Sequence, residues 1–291
     1  MNAQTKAAIV PSKEWQVRPT KGILRLAALL VLSVAMIYPI LWMITIALSS
    51  NSGMFKVPPE WFPREFHFRN FIDGADTIHF LRVFSNSLII TGLITLGQTV
   101  SSLLIGYGIS RIQFPGRRMW FFAFLGSMML PQIVSLIPVF YIFAKLGLYN
   151  TWWPLILTAY FGNPFFIFLS RQFLSSIPFA FDEAAKIEGA SHLQILTRII
   201  VPISMPLVAT MVILAFQASW NEYLLPLIYL RDADLWPLSM AIAAFSSQYG
   251  NTWNLFMAAN LLYMLPVLLL FFFSQKYFMQ GLGSLNSAGI K

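Results

Sequence analysis

The stretch EAAKIEGASHLQILTRIIVP, from Glu183 to Pro202, sets two glutamates, a lysine, a histidine and an arginine into a chain that is 57% hydrophobic. Residues of these types suit contact with another surface better than bond-making. Small side chains at Ala184 and Ala185 let a partner approach the backbone, and a glycine at 189 makes a sharp turn through which a push is passed on. An amphipathic connector resting on lipid headgroups accounts for the same residues. A second set of polar residues falls inside long apolar runs: Gln98, Gln132, Tyr160, Asn163, Trp220, Asn221, Glu222 and Asn260. Such groups are costly in hydrocarbon and turn toward a bundle interior or a water-filled path. Tyr160, Asn163, Trp220 and Asn221 combine hydrogen bonding with ring stacking. They serve equally well as interhelical hydrogen bonds, worth about 0.6 kcal/mol each. His67, His79 and His192 are scattered, and no metal-ligand cluster or Ser/His/Asp set stands out. The phosphate loop G-x-x-x-x-G-K-[ST] is absent, so an ATP site of that kind is not expected in this chain. With no cysteine, disulfides and thiolate metal sites are excluded.

The elements that must hold these residues follow from composition. Charged residues make up 10% of the 291, and Phe occurs 27 times, whereas soluble domains carry about a quarter charged residues. Such a chain cannot supply a continuous water-facing surface and belongs in a bilayer. Stretches 24–48, 85–108, 119–144, 153–174, 203–225 and 255–277 are each apolar and long enough to cross as helices, which takes about 20 residues for about 30 Å of hydrocarbon. The fold class expected is therefore an all-α integral membrane protein with six transmembrane helices. The first stretch is too long for a signal-peptide core, and no small-x-small site follows it. With the N-terminus inside, 13 of the 19 Lys and Arg fall on the inner side and 6 on the outer, so both termini are expected to be cytoplasmic. The net charge of +8 then reports orientation, and nucleic acid is not an expected partner.

Outer segment 49–84 carries Pro58, Pro59 and Pro63 among Trp61, Phe62, Phe66 and Phe68, which suits a cap on the helix ends, a docking surface, or both. Segment 229–254, with SSQYGNTW, reads as a connector. Gly97 with Ser101, and Ser102 with Gly106, are small pairs four apart that allow close helix packing. Pro131 and Pro138 suit either a kink in the third span or a static packing role.

Residues 175–202 read as two short helices joined by a turn. Pro178 suits a first helical turn, and Asp182 and Lys186 have the spacing of a favourable acid-first pair. Phe181, Ala184, Ala185 and Glu188 are predicted to share one face. Gly189 supplies a left-handed stop, and Ser191 with Gln194 forms a capping box. The second helix is predicted to run on through Pro202 into the fifth span.

Glu183-Ala184-Ala185, three residues, Gly189, nine residues and Ile199-x-Val201-Pro202 closely resemble the EAA motif of ABC-importer permeases, with Val201 where that motif has Leu. GYGISRIQFPGR, MLPQIVSLIPVFYIFAKLGLYNTWWPLIL and SWNEYLLPLIYL are similar to patterns of the carbohydrate-uptake branch, in the same order along the chain. The resemblance covers roughly residues 24–282 and is to the maltose-type second permease subunit. It departs at the C-terminus, where Gly281-Leu282 fits the family's tail pattern and the spacing from Gly283 onward does not.

The resemblance implies a type I, maltose-type importer permease fold. Residues 1–23 would be a cytoplasmic segment, 24–277 the permease domain with coupling loop 175–202, and 278–291 a cytoplasmic tail. Glu183, Ala184, Ala185, Glu188, Gly189 and Pro202 would couple to an ATPase. Tyr160, Asn163, Trp220, Asn221 and Glu222 are candidates for the substrate path, and Ser247, Gln248, Tyr249, Gly250 and Asn251 for contact with a binding protein. Implied partners are a second permease, a dimer of ATP-binding subunits, an extracytoplasmic solute-binding protein, a sugar or oligosaccharide cargo, and lipid. ATP and Mg would sit in the partner ATPase, leaving this chain without a cofactor, in a bacterial inner membrane. The alternative is an ion-gradient-driven transporter, for which Glu222 would be the coupling group.

Overall fold

The computed structural model describes residues 19–51, 63, 65–248 and 252–288, with side-chain surroundings given for 23–51, 63, 65–131, 133–246 and 252–275. All regular structure among them is helical. This suits hydrocarbon, because a helix satisfies its own backbone groups there.

Helix α1, Pro19–Ala47, begins on a proline and carries a long, mainly apolar region, Ile23–Ala47, whose one charged residue is Arg25 near its start. A short amphipathic helix, α2 (Arg69–Thr77), leads to α3 (Phe80–Arg111) through His79, which takes a left-handed φ of 49°. Helix α3 is 32 residues long, about 48 Å of unbroken rod at 1.5 Å per residue. The expected third span does not form one helix. It is divided into α4 (Arg117–Ser127) and α5 (Gln132–Lys145), with Pro131 extended between them at ψ 131°. Pro138, by contrast, stays inside α5.

The expected fourth span is α6 (Trp153–Leu157), a tight 3₁₀ turn, Gly162 at φ 86°, and α7 (Pro164–Ser176). Beyond it lie α8 (Ala180–Ile187), α9 (His192–Ile195), a wide π turn at Leu196–Ile200, and α10 (Val201–Ile203). Helix α11, Met205–Trp220, follows at an 83° bend. The predicted smooth run into the fifth span is thus corrected. Pro202 and Pro206 lack the N–H groups a continuous helix would use there, and Ser204 turns the corner. Helix α12 is Leu224–Tyr229 and α13 is Leu238–Gln248. Segment 229–254 is therefore more than a connector, since α13 buries Leu238 and Phe245 against α3 and α14. The last helix, α14, covers Trp253–Ala288.

Among the described residues, four regions are long and apolar enough to cross a membrane: Ile23–Ala47, Phe80–Arg111, Trp153–Ser176 and Trp253–Gln275. The bent pair α9–α10 and α11 makes a fifth if counted as one span. Helix α3 is the central post. Gly106 brings it so close to α7 that an added Cβ would lie 2.4 Å from the Ser170 Cβ. Ser101 donates across to the Ala159 carbonyl at 3.2 Å, and the Asn163 N–H donates to Ser102 Oγ at 2.9 Å. One core, around Leu174, Ile195, Ile200 and Met211, sits at the α7–α8 end. Another, around Ile78, Trp220, Leu238 and Phe245, sits at the opposite end of α3. Helices α1, α4 and α5 leave most of their apolar surface uncovered, as a bilayer or a partner helix requires.

Candidate functional site

The α8 loop is assembled from local signals and one long-range pair. Gly189 has φ 81°, its N–H donates to the Lys186 carbonyl at 3.0 Å, and the Ala190 N–H reaches the Ala185 carbonyl at 2.9 Å. Together these form a complete Schellman turn. Ser191 Oγ accepts from the Gln194 N–H at 3.4 Å while Gln194 Oε1 accepts from the Ser191 N–H at 2.8 Å. The capping box therefore exists in both directions.

Two expectations for α8 are corrected. Asp182 does not reach for Lys186; it is buried and accepts from Arg111 Nη1 at 2.9 Å. The small-residue stripe is also split, because Ala185 packs into the core while Ala184 faces out. The physical reason is the same in both cases. Pairing Asp182 with Arg111 turns the Asp182–Ala185 edge inward and leaves Phe181, Glu183, Ala184, Ile187 and Glu188 outward. Ile187, at 88% exposed, is the most open of these apolar residues. Arg111, the last residue of α3, was not singled out by its sequence context, since a basic residue past a span end reads as an orientation charge. His192 Nδ1 lies 3.4 Å from the Tyr107 hydroxyl, adding a contact between α9 and α3.

A cavity of about 440 Å³ lies among α3, the α6–α7 segment and α11. Its polar lining includes Gln98, Thr158, Asn163, Ser219 and Glu222. Of the residues expected on a path, Gln98, Asn163 and Glu222 reach it, and the last two have backbone duties. Asn163 Oδ1 caps α7 by accepting from Phe165 N–H at 3.0 Å, and Glu222 Oε1 accepts from Leu225 N–H at 3.1 Å. Tyr160 is not among the lining residues. Its ring lies over Gly97, where an added Cβ would come within 2.7 Å. Trp220 is 1% exposed, stacks on Phe216 and Tyr263, and donates to the Tyr263 carbonyl at 3.2 Å. Asn221 instead accepts from the Tyr263 hydroxyl at 2.7 Å.

Ser219, one residue before Trp220, does line the cavity, and its hydroxyl donates to Thr91 Oγ1 at 3.4 Å. Neighbours on a helix point about 100° apart, so the aromatic residue enters the core while the serine lines the space. Among the binding-protein candidates, Ser247 and Gln248 close the backbone of α13. Their side chains, and Tyr249, Gly250 and Asn251, lie outside the described residues, as do Pro58, Pro59, Trp61 and Phe62.

A polytopic helical chain with a broken central bundle, a cavity among its helices and a capped helical loop at one end has the build of a transport permease. Residues 81–284 match the family described as "Binding-protein-dependent transport system inner membrane component", and the chain belongs to that family. It is 32% identical over 279 residues to a probable ABC transporter permease protein, YurM, of Bacillus subtilis strain 168, covering 94% of this chain and 90% of the relative. It is 30% identical over 264 residues to the trehalose/maltose transport system permease protein MalG of Thermococcus litoralis, covering 90% of this chain and 95% of that protein. Its fold is similar to a chain in the crystal structure of a bacterial ABC transporter involved in the import of the acidic polysaccharide alginate. The TM-score is 0.79 at 23% identity, covering 92% of this chain and all of that one.

Proposed function

We propose that this chain is the membrane-spanning permease subunit of an ATP-driven importer for a sugar or oligosaccharide in a bacterial inner membrane. It pairs with a second permease to enclose the pathway, receives cargo from an extracytoplasmic binding protein, and rests on a dimer of ATP-hydrolysing subunits. The observation that carries this reading is the outward face of α8, which lies within the family-matched region. Phe181, Ala184 and Ile187 offer apolar contact there, with Glu183 and Glu188 beside them and Gly189 closing the turn. A soluble partner with an apolar groove and a basic rim would cover that face.

ATP-driven closure of the ATPase dimer displaces α8, and the displacement opens the bundle toward the binding protein. The cavity supports the cargo class. Its volume lies in the range of about 300–1,000 Å³ usual for small-molecule sites. Neutral amide and hydroxyl groups from Gln98, Thr158, Asn163 and Ser219 suit a hydroxyl-rich molecule.

The test is to purify the tagged chain from its native membrane in mild detergent and identify what accompanies it by mass spectrometry, with an ATPase assay on the eluate. A sibling permease and an ATPase subunit are expected, the ATPase subunit reduced on charge reversal at Glu183. Recovery of the chain alone, with no ATPase activity, would overturn the importer reading and direct attention to ion coupling at Glu222.

A further inference from the structure

Arg111 is the last residue of α3, and its side chain is fully shielded from solvent at 0% exposure. Nη1 bonds Asp182 Oδ2 at 2.9 Å, in the first turn of α8. Nη2 donates to the carbonyls of Leu174 and Ile177 at 2.6 Å each, at the C-terminal end of α7, where the helix dipole favours a cation. Phe179 closes the far side, with the guanidinium carbon 4.5 Å from its ring centre. One side chain thus joins the ends of three elements. A buried ion pair is a poor source of stability, because desolvation offsets most of the attraction. What it does supply is fixed geometry.

The two helices held by this guanidinium both reach the cavity. Gln98, Ile94 and Ile90 lie on α3, and Phe165 and Phe166 on α7. Gln98 is 13 residues from Arg111 along an unbroken helix, a distance of about 20 Å. The other route from α8 to the cavity is different in kind. It passes through the π turn Leu196–Ile200 and the 83° bend at Ser204 before reaching α11, and such interruptions in a helix are places where it bends.

We infer that Arg111 and Asp182 are positioning residues that lock α8 to α3 and α7, so that a displacement of α8 reaches the cavity through these helices as one rigid body while the bend at Ser204 yields. The inference rests on the proposed function only for what displaces α8. The joint itself is a property of this chain.

The chain has no cysteine, so two spin labels can be placed by substitution alone, at Lys186→Cys on exposed α8 and Leu96→Cys on exposed α3. The distance distribution between them is measured by pulsed electron resonance in the full-length chain. It is measured again in the assembled complex, without nucleotide and after trapping with ATP and vanadate. In the otherwise unaltered sequence the distribution is narrow and keeps its mean on trapping. Asp182→Asn broadens it in the isolated chain and lets its mean shift by about 2 Å on trapping, the scale of helix shifts in switching proteins. Asp182→Glu restores the narrow distribution.

A merely structural role predicts a lower melting temperature with the distribution unchanged. A distribution equally narrow in Asp182→Asn and in the parent, in the isolated chain, overturns the inference. Failure of an ATPase to co-purify with the parent would instead overturn the function and leave the isolated-chain measurement decisive for the joint.

Discussion

Gly189 is the place where one backbone angle controls a loop. Its φ of 81° lies in the left-handed region, and a Cβ added there meets nothing within 4 Å. Substitution therefore acts through the backbone, without a clash. An ordinary L residue in that conformation costs about 1–2 kcal/mol. Asparagine tolerates it better than most, and a β-branched residue worse. If the turn opens, the two Schellman bonds are lost as well, at about 1 kcal/mol each. Gly189→Ala should thus shift the balance between closed and open turn about 5- to 30-fold, and Gly189→Val further still. Gly189→Asn should stay close to the parent. The assay is capture of the ATP-hydrolysing subunit by the detergent-solubilised chain across a titration, with transport-linked ATP hydrolysis measured in parallel. Apparent affinity should fall in the order Gly, Asn, Ala, Val, while membrane insertion is unaffected. If Val matches the parent, or Asn is worse than Val, the left-handed turn is not what presents α8.

Two further predictions concern the helices behind the cavity. Gly106→Ala puts a Cβ 2.4 Å from the Ser170 Cβ, so it should lower the melting temperature in detergent. Ser170→Gly should recover the loss and Ser170→Ala should not, because alanine keeps the offending atom. Trp220→Ala empties a site that is 1% exposed and should cost about 3–5 kcal/mol, seen as reduced thermal stability and reduced yield. Ser219→Ala, one residue away on the cavity wall, should leave stability nearly unchanged and alter uptake. Equal effects of the two on stability would contradict their assignment to core and cavity.

Much of the α8 loop was legible from the sequence because its determinants are local. The left-handed Gly189 and the Ser191–Gln194 box are set by hydrogen bonds spanning five residues or fewer. The apolar runs that became α1, α3 and α14 follow from length and composition, since about 20 apolar residues have few other places to go. Proline was half legible. Pro131 and Pro138 carry the same missing N–H, yet one separates two helices and the other sits within one. The missing N–H alone therefore does not say which proline ends a helix.

The sequence by itself determined that the chain lies in a membrane, where its long apolar helices run, and how the turn after α8 is made. Only the tertiary structure decided which way side chains point. Asp182 finds Arg111 from 71 residues away, a partner that local spacing cannot indicate. That pairing turns Ala185 inward and Ala184 outward. The α11 rotation likewise sends Trp220 into the core and Ser219 to the cavity. Periodicity says that a helix has faces, but the identity of each face is set by burial against other helices, and a buried charge accepts only the orientation in which its partner can satisfy it.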